Sequence, residues 1–214
     1  MKTGSGLIAS MAVGICVNAV ASAPDLKTYT SPDGKFQFEY SALIMCVRHG
    51  PNAFNESYPW EPSDCWDWAE GCGQELSSTK TVVCLSFPRI DLKHRFPVTA
   101  GVVSVAEVTD RAGEGACLDL SEYLNTGQRP DQARINNVNF LYVERANAGA
   151  GHGDFHSTYR SFHDGSCYQI ETTIDTVNGG FDITPEQDPA FFAEDNAVVR
   201  NRLKRVVDSF RFLK

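Results

Sequence analysis

The sequence predicts an α+β fold: a mostly antiparallel sheet, stapled by disulfides, with two or so helices packed on it. Segments with strand-type patterns follow one another along the chain, whereas helical periodicity occurs in only two places. Between two of the strand patterns lies Asp164-Gly165, a dipeptide that strongly favours a β-hairpin. The regular alternation of strands and helices that a parallel, doubly wound sheet requires is absent from the sequence.

The first 21 residues have the features of a secretory signal peptide. Lys2 supplies a positive charge, residues 7–20 are mostly apolar, and Ala19-Val20-Ala21 fits the small-residue cleavage pattern. We therefore expect residues 1–21 to be removed and residues 22–214 to form one exported domain, in the periplasm or outside the cell.

Two alternatives for this N-terminal segment follow from its residues. Cys16 leaves lipidation open, although Ile15 stands before it where a small residue is normally required. The apolar run is too short and too interrupted for a membrane span, so we expect no integral membrane segment after signal removal.

The length and the charge of the mature chain restrict its class. Cleavage leaves 193 residues, enough for one domain with one sizeable core. The whole chain carries a formal charge of -8, which argues against nucleic acid and anionic membranes as partners. The simpler explanation of the negative charge is that it keeps an exported domain soluble.

The cysteines predict disulfides. Six remain after cleavage, and an even count in an exported chain favours three bridges. No CxxC pair exists, which disfavours a zinc–thiolate site. Sequence alone leaves the connectivity open. The pairings that we expect are Cys65–Cys72 as a local loop, Cys46–Cys84 between strands, and Cys117–Cys167.

Strand patterns dominate the first half of the mature chain. Residues 29–35 form a turn, in which Asp33-Gly34 provides the positive-φ position. Residues 36–40 alternate apolar and polar side chains, which predicts a half-buried strand. Apolar and β-branched runs predict further strands at residues 42–47, 81–87 and 101–108.

Residues 48–80 form a long irregular segment rich in tryptophan, with Trp60, Trp66 and Trp68 close to Cys65 and Cys72. A loop of this length needs its own cross-link and a small core to be ordered. We expect such a satellite core here, with exposed tryptophans acting as a ligand platform as the alternative.

The second half of the chain contains both helix candidates. Residues 195–207 repeat apolar residues at helical spacing, with Val199, Leu203 and Val206 on one line. Residues 116–124 predict a short helix. Strands are predicted at residues 137–145, 156–162, 167–176 and 210–213.

Four segments together resemble a group of exported bacterial proteins of uncharacterised activity. They are YTSPDGKFQFEY, TVVCLSFP, STYRSFHDGSCYQIETTI and RLKRVVDSFRF. The group shares an F-x-F-x-Y strand, a Y-R-x-F hairpin and a terminal helix ending in S-F-R-F. The layout is also similar to the PsbP-like sandwich, which implies an antiparallel sheet with helices packed on it. The resemblance implies no activity, and the tryptophan-rich loop has no counterpart in the PsbP-like plan.

The strongest candidate for a functional site is the segment His152-Gly153-Asp154-Phe155-His156. In an extended chain, alternate residues point to one face, so His152, Asp154 and His156 would converge. Two imidazoles and a carboxylate suit zinc or another divalent transition metal. Extended spacing places His163 on the opposite face. The alternative is a solvated polar loop after Gly149-Ala150-Gly151 that keeps the ligands apart.

A more remote candidate is Arg48-His49-Gly50, which resembles the Arg-His-Gly of histidine phosphatases. That resemblance implies a phosphorylated His49 and a phosphate-binding Arg48. Against it, the alternating strands and helices of that fold are missing. A nucleophilic serine motif of the Gly-x-Ser-x-Gly type is also missing.

These observations favour an exported, non-catalytic binding or accessory domain of unknown ligand. The alternative from another class is a metal-binding protein or metal-dependent enzyme that uses His152, Asp154 and His156. No cofactor is expected apart from a divalent metal in that alternative.

Overall fold

The computed structural model describes residues 26–41, 46–49, 53–54, 78–86, 98–125, 128–149, 152–177 and 189–214. At several strand ends and in the first part of the last helix, only the backbone is described. The predicted signal peptide, the tryptophans and the Cys65–Cys72 pair lie outside these residues.

Two antiparallel sheets contain the described strands. The smaller sheet consists of β1 (Leu26–Thr30), β2 (Phe36–Ser41) and β11 (Arg211–Phe212), with β2 in the middle. The larger sheet consists of β3 (Cys46–His49), β4 (Ala53–Phe54), β5 (Thr79–Ser86), β6 (Val98–Val108), β7 (Asp131–Ile135), β8 (Val138–Gly149), β9 (His152–His163) and β10 (Ser166–Val177). Its order is β4-β3-β5-β6-β10-β9-β8-β7, and every pairing is antiparallel. The predicted α+β class is confirmed.

The hairpin of β9 and β10 forms at the predicted turn. Asp164 has φ 48° and Gly165 has φ 81°, the left-handed conformations that a two-residue hairpin loop needs. The turn fixes the register, which pairs His163 with Ser166 and continues without a shift to His152 and Val177. This long pairing decides which side chains meet across the two strands.

A second two-residue hairpin joins β7 to β8, and the sequence analysis missed it. Asn136 and Asn137 have φ 44° and 69°, and asparagine is one of the few residues that tolerate this region. The amide of Asn136 also donates hydrogen bonds to the carbonyl oxygens of Asp208 and Phe210, at 2.7 and 3.0 Å. The turn thereby holds the end of the last helix against the sheet.

The last helix, α2, spans Pro189–Ser209 and covers one face of the large sheet. The predicted line of Val199, Leu203 and Val206 is buried, as expected from its spacing. These residues pack in one core with the apolar faces of β2, β5, β6 and β10. Each fully buried side chain of this size contributes about 1.5–3 kcal/mol to the free energy of unfolding.

Aromatic rings from both sheets join in this core. Phe36 stacks on Phe210 with ring centroids 5.3 Å apart, and it meets Tyr168 of the large sheet edge-on at 6.1 Å. Phe38 stacks on Tyr29 at 4.9 Å. The F-x-F-x-Y strand therefore packs the smaller sheet onto the larger one.

The predicted helix at residues 116–124 is interrupted. Helix α1 covers only Glu114–Cys117, and a 3₁₀ turn follows at Ser121–Tyr123. The break has a local cause: Oδ1 of Asp119 accepts a hydrogen bond from the backbone N–H of Ser121 at 2.9 Å. Aspartate side chains that bond the backbone two residues ahead compete with helical hydrogen bonds.

A disulfide joins Cys117 to Cys167 and fastens the α1 segment to the sheet. This is one of the three expected pairings. Cys84 is disulfide-bonded as well. Because Cys117 and Cys167 pair with each other, the partner of Cys84 is a cysteine whose side chain is not described.

In the described part of the chain, no helix combines the length and the apolar character that crossing a membrane requires.

Candidate functional site

The large sheet has a polar face on the side away from α2. Tyr168, Ile170 and Ile174 of β10 belong to the main core, so the alternate residues of the strand point to the other side. A connected set of charged and amide side chains occupies that side, which we call the polar network. Its members are Asn147, Asp154, His156, Thr173, Glu171, Arg145, Gln169, Arg160, Tyr123 and Glu122.

Arg160 is the buried centre of the polar network. Its side chain is 2% exposed, and its Nη2 lies 2.7 Å from Oε1 of Glu122. The guanidinium also donates to Oε1 of Gln169 at 2.9 Å and to the carbonyl oxygen of Asp119 at 3.0 Å. Nη2 is 3.3 Å from the hydroxyl of Tyr123. The buried charge is therefore paired, and four hydrogen bonds engage the five N–H groups of the guanidinium, which offsets most of the cost of burial.

Asp154 and His156 form the second centre of the polar network. Nε2 of His156 lies 2.8 Å from Oδ2 of Asp154, which also accepts a hydrogen bond from the Asn147 amide at 2.8 Å. Nδ1 of His156 lies 3.1 Å from Oγ1 of Thr173 and 3.5 Å from Oε1 of Glu171. Both ring nitrogens thus face oxygen atoms.

This environment favours the protonated imidazole. The pKa of His156 is raised above its ordinary value, first by the hydrogen bond to Glu171 and further by the negative charges of Glu171 and Asp154. Partial burial and the nearby Arg145 act in the opposite direction without reversing the shift. His156 therefore carries positive charge at higher pH than an exposed histidine does.

Two of the three proposed metal ligands have side chains that the structure describes. Asp154 and His156 share a face and touch, whereas the side chain of His152 is not described and only its backbone is placed, at the start of β9. Within the described residues, no group of three or more histidine, cysteine, aspartate or glutamate side chains is arranged to hold a metal ion. The three-ligand metal site stays a prediction. His163 stacks on Phe212 with ring centroids 3.9 Å apart. Its side chain lies on the opposite face of β9 from that of His156, as the extended spacing predicted.

Sequence reasoning missed Glu171, Thr173 and Arg145 as neighbours of His156. A signal for two of them was present: the Asp164-Gly165 turn fixes a register in which His156 pairs with Thr173, and Glu171 is the next residue on the same face. Arg145 of β8 pairs with His156 of β9. The register of these two strands depends on the β8–β9 connection, for which the sequence has no turn signal as strong as Asp164-Gly165.

A cleft lies on the opposite face of the sheet, between α2 and strands β7, β8 and β9. Its volume is about 490 Å³, and the lining includes Tyr142, Glu144, Phe155, Tyr159, Arg200 and Lys204. That volume lies in the range of pockets that bind small organic molecules. The lining also includes Arg145 and His156, whose side chains belong to the polar network on the other face of the sheet.

Aromatic rings and charges share this cleft. Tyr142 and Tyr159 stack with centroids 5.3 Å apart, and the guanidinium of Arg200 lies 5.5 Å from the centroid of the Phe155 ring. Burial, followed by the charge of Glu144, raises the pKa of Tyr159 to about 12, so its hydroxyl remains a hydrogen-bond donor at neutral pH. The chemistry of the lining suits a ligand with an apolar body and polar ends.

Arg48 and His49 lie in β3, which pairs antiparallel with β4 and β5. Their side chains are not described. The antiparallel surroundings differ from the alternating strands and helices that the histidine-phosphatase resemblance implies, so this candidate gains no support.

Comparisons with known proteins give no family. No protein-family model matches the chain, and no curated protein does. Among solved structures, the chain is similar to a protein from Bacteroides thetaiotaomicron VPI-5482, whose crystal structure was determined at 1.50 Å resolution. The two are 12% identical with a TM-score of 0.40, over 88% of this chain and 48% of the other. The chain thus spans about half the length of that protein. A similarity at this level carries no argument for function.

Proposed function

We propose that the protein is an exported, non-catalytic binding domain that holds a small organic ligand in the cleft between α2 and strands β7–β9. The observation that carries this proposal is the cleft itself, with about 490 Å³ of space beside stacked Tyr142 and Tyr159. Ligand sites combine such a volume with aromatic walls and a few convergent polar groups. The disulfide between Cys117 and Cys167 is consistent with an oxidising, exported location.

A binding role fits the chemistry of the polar network better than catalysis. Arg160 and His156 are each engaged by several partners within the protein, so most of their donors are occupied. A catalytic acid or base needs to reach the proton of a substrate. In the cleft, by contrast, Arg200 and Glu144 are exposed and form no ion pair with a described residue. The similarity to the PsbP-like layout stays a prediction, because no comparison supports that family.

The test is to map small-molecule binding on the mature protein with its disulfides intact. A fragment collection is screened by changes in backbone amide NMR shifts, and we expect the hits to move amides around the cleft. Ala146 is exposed and lines the cleft, so Ala146→Trp fills it and removes these responses. Ala112 is exposed outside the cleft lining, so Ala112→Trp is the matched control and retains them. Hits that avoid the cleft, or that survive Ala146→Trp, would contradict the proposal.

The second candidate function is metal binding by His152, Asp154 and His156. It is favoured by the 2.8 Å contact between Asp154 and His156, which brings two of the three candidate ligands together. A metal would displace the proton from His156, whose pKa is raised, so binding would tighten as the pH rises. Elemental analysis tests it: stoichiometric zinc or copper should be lost in the double variant His152→Ala/His156→Ala and kept in His163→Ala. A metal-free wild type after zinc loading would reject it.

A further inference from the structure

Six aspartate, glutamate, lysine or arginine residues line the cleft, and two of them, Arg134 and Arg145, occupy strand positions whose side chains point to the other face of the sheet. The other four divide into a matched pair and an unmatched pair. On α2, Nζ of Lys204 lies 2.6 and 2.7 Å from the two carboxylate oxygens of Asp208, so these charges neutralise each other. Arg200 and Glu144 have no ion pair with a described residue, and both are exposed along the cleft. One unmatched cation thus lies on the helix wall and one unmatched anion on the sheet wall.

Each unmatched charge has an aromatic neighbour that shapes its binding preference. The guanidinium of Arg200 lies over the Phe155 ring, which is 37% exposed and leaves an apolar surface beside the N–H donors. That combination suits a carboxylate attached to an apolar body. Glu144 follows Tyr142 on the same face of β8, next to the stacked ring of Tyr159. A carboxylate beside aromatic faces is a favourable environment for an ammonium group.

We propose that the cleft binds a zwitterionic ligand of the amino-acid class, with its carboxylate on Arg200, its ammonium on Glu144 and an apolar side chain between the walls. This inference rests on the proposed function and specifies its ligand class. A purely anionic ligand would leave Glu144 desolvated without a partner, and a purely cationic ligand would do the same to Arg200. Such uncompensated burial of charge is unfavourable, so ligands with both charges are selected.

The experiment uses three compounds that share a phenylethyl body. L-Phenylalanine carries both charges, 3-phenylpropanoate lacks the ammonium group, and 2-phenylethylamine lacks the carboxylate. Each is titrated into the mature protein, and dissociation constants are obtained from the NMR shifts of cleft amides. We expect L-phenylalanine to bind about tenfold more tightly than either singly charged compound, the factor typical of one charge-assisted hydrogen bond.

Variants assign the two charges. Arg200→Gln should weaken L-phenylalanine about tenfold and leave 2-phenylethylamine unchanged, whereas Glu144→Gln should weaken L-phenylalanine and spare 3-phenylpropanoate. Arg205→Gln is the matched control, because Arg205 is exposed on the same helix outside the cleft lining. It should change none of the three constants.

The outcomes separate this inference from the binding function on which it rests. If either singly charged compound binds in the cleft as tightly as L-phenylalanine, the ligand class is overturned and the cleft stands as a binding site. Unchanged binding of L-phenylalanine in both charge variants also overturns it. If L-phenylalanine leaves the cleft amides unmoved while fragments of other chemistry bind there, only the ligand class fails. If no compound of either screen moves these amides, the proposed function fails too.

Discussion

Replacing Arg160 by methionine tests whether the polar network stabilises the fold. Arg111 provides the matched comparison, because Arg160 and Arg111 bind the two carboxylate oxygens of Glu122 at the same distance of 2.7 Å. The two arginines differ in burial, since the side chain of Arg160 is 2% exposed and that of Arg111 is 25% exposed. The two substitutions therefore compare the same contact to Glu122 in a buried and in a more exposed setting.

The expected magnitudes follow from the contacts that each substitution removes. Arg160→Met removes the ion pair and leaves the buried Gln169 side chain and the Asp119 carbonyl oxygen without their main donor. Breaking a buried charged pair costs about 3–5 kcal/mol, and the partial exposure of Glu122 places the expected loss near the lower end, at about 3 kcal/mol. Arg111→Met removes the contact with Glu122 and two longer ion pairs, with Asp110 at 3.8 Å and Asp119 at 3.9 Å. Exposed ion pairs contribute little, so we expect a loss of about 1 kcal/mol or less.

Urea unfolding of the oxidised protein, followed by far-UV circular dichroism, gives the free energy of unfolding of each variant. We expect the midpoint to fall strongly for Arg160→Met and slightly for Arg111→Met, with the slope of the transition unchanged. Equal losses for the two variants would refute the argument from burial. A loss below about 1 kcal/mol for Arg160→Met would show that methionine replaces the buried ion pair without penalty.

Three further predictions concern the rest of the described structure. Because the pKa of His156 is raised, its interactions with Glu171 and Asp154 stabilise the folded state fully below about pH 6.5, and this stabilisation is lost as the pH rises through the folded-state pKa. In urea titrations, the difference in free energy of unfolding between wild type and His156→Gln should therefore shrink from mildly acidic to mildly basic pH. A difference that grows with pH would contradict the raised pKa. Replacing both Cys117 and Cys167 by alanine should lower the free energy of unfolding by about 4 kcal/mol, given the 50-residue separation of the bridge; a change within error would mean that the bridge is unimportant for stability. Asn136→Ala should lower the melting temperature through a loss of about 1–2 kcal/mol, because the hydrogen bonds to the carbonyl oxygens of Asp208, in the last turn of α2, and Phe210, just after it, disappear. Asn137→Gly keeps the turn and should be neutral or slightly stabilising. Equal destabilisation by both substitutions would refute the role given to the Asn136 amide.

Elements with a local signature were predictable from the sequence. The Asp164-Gly165 turn and the alternation around it gave a strand pair close to β9 and β10, and apolar spacing identified the buried line of α2. The F-x-F-x-Y pattern likewise matches the buried face of β2. In each case the signal is local, because the spacing of apolar side chains and the residues preferred in a turn involve only a few neighbouring positions. A single sequence contains that information directly.

Elements that depend on neighbours distant in the chain were missed or mis-sized. Strand β7 has only five residues and mostly exposed side chains, so nothing in its composition marks it as part of a sheet. The short helix at residues 116–124 was predicted too long, because the capping of Ser121 by Asp119 ends the helical pattern. The register of β8 against β9 likewise needed the assembled sheet.

The sequence by itself determined the α+β class, the central hairpin, the amphipathic last helix and a face shared by Asp154 and His156, because these follow from local periodicity and turn geometry. The tertiary structure decided the rest. It surrounds His156 with Thr173 and Glu171, buries Arg160 against Glu122, and leaves Arg200 and Glu144 on opposite walls of one cleft. Those juxtapositions join residues from different strands and from α2, and only long-range packing brings such residues together.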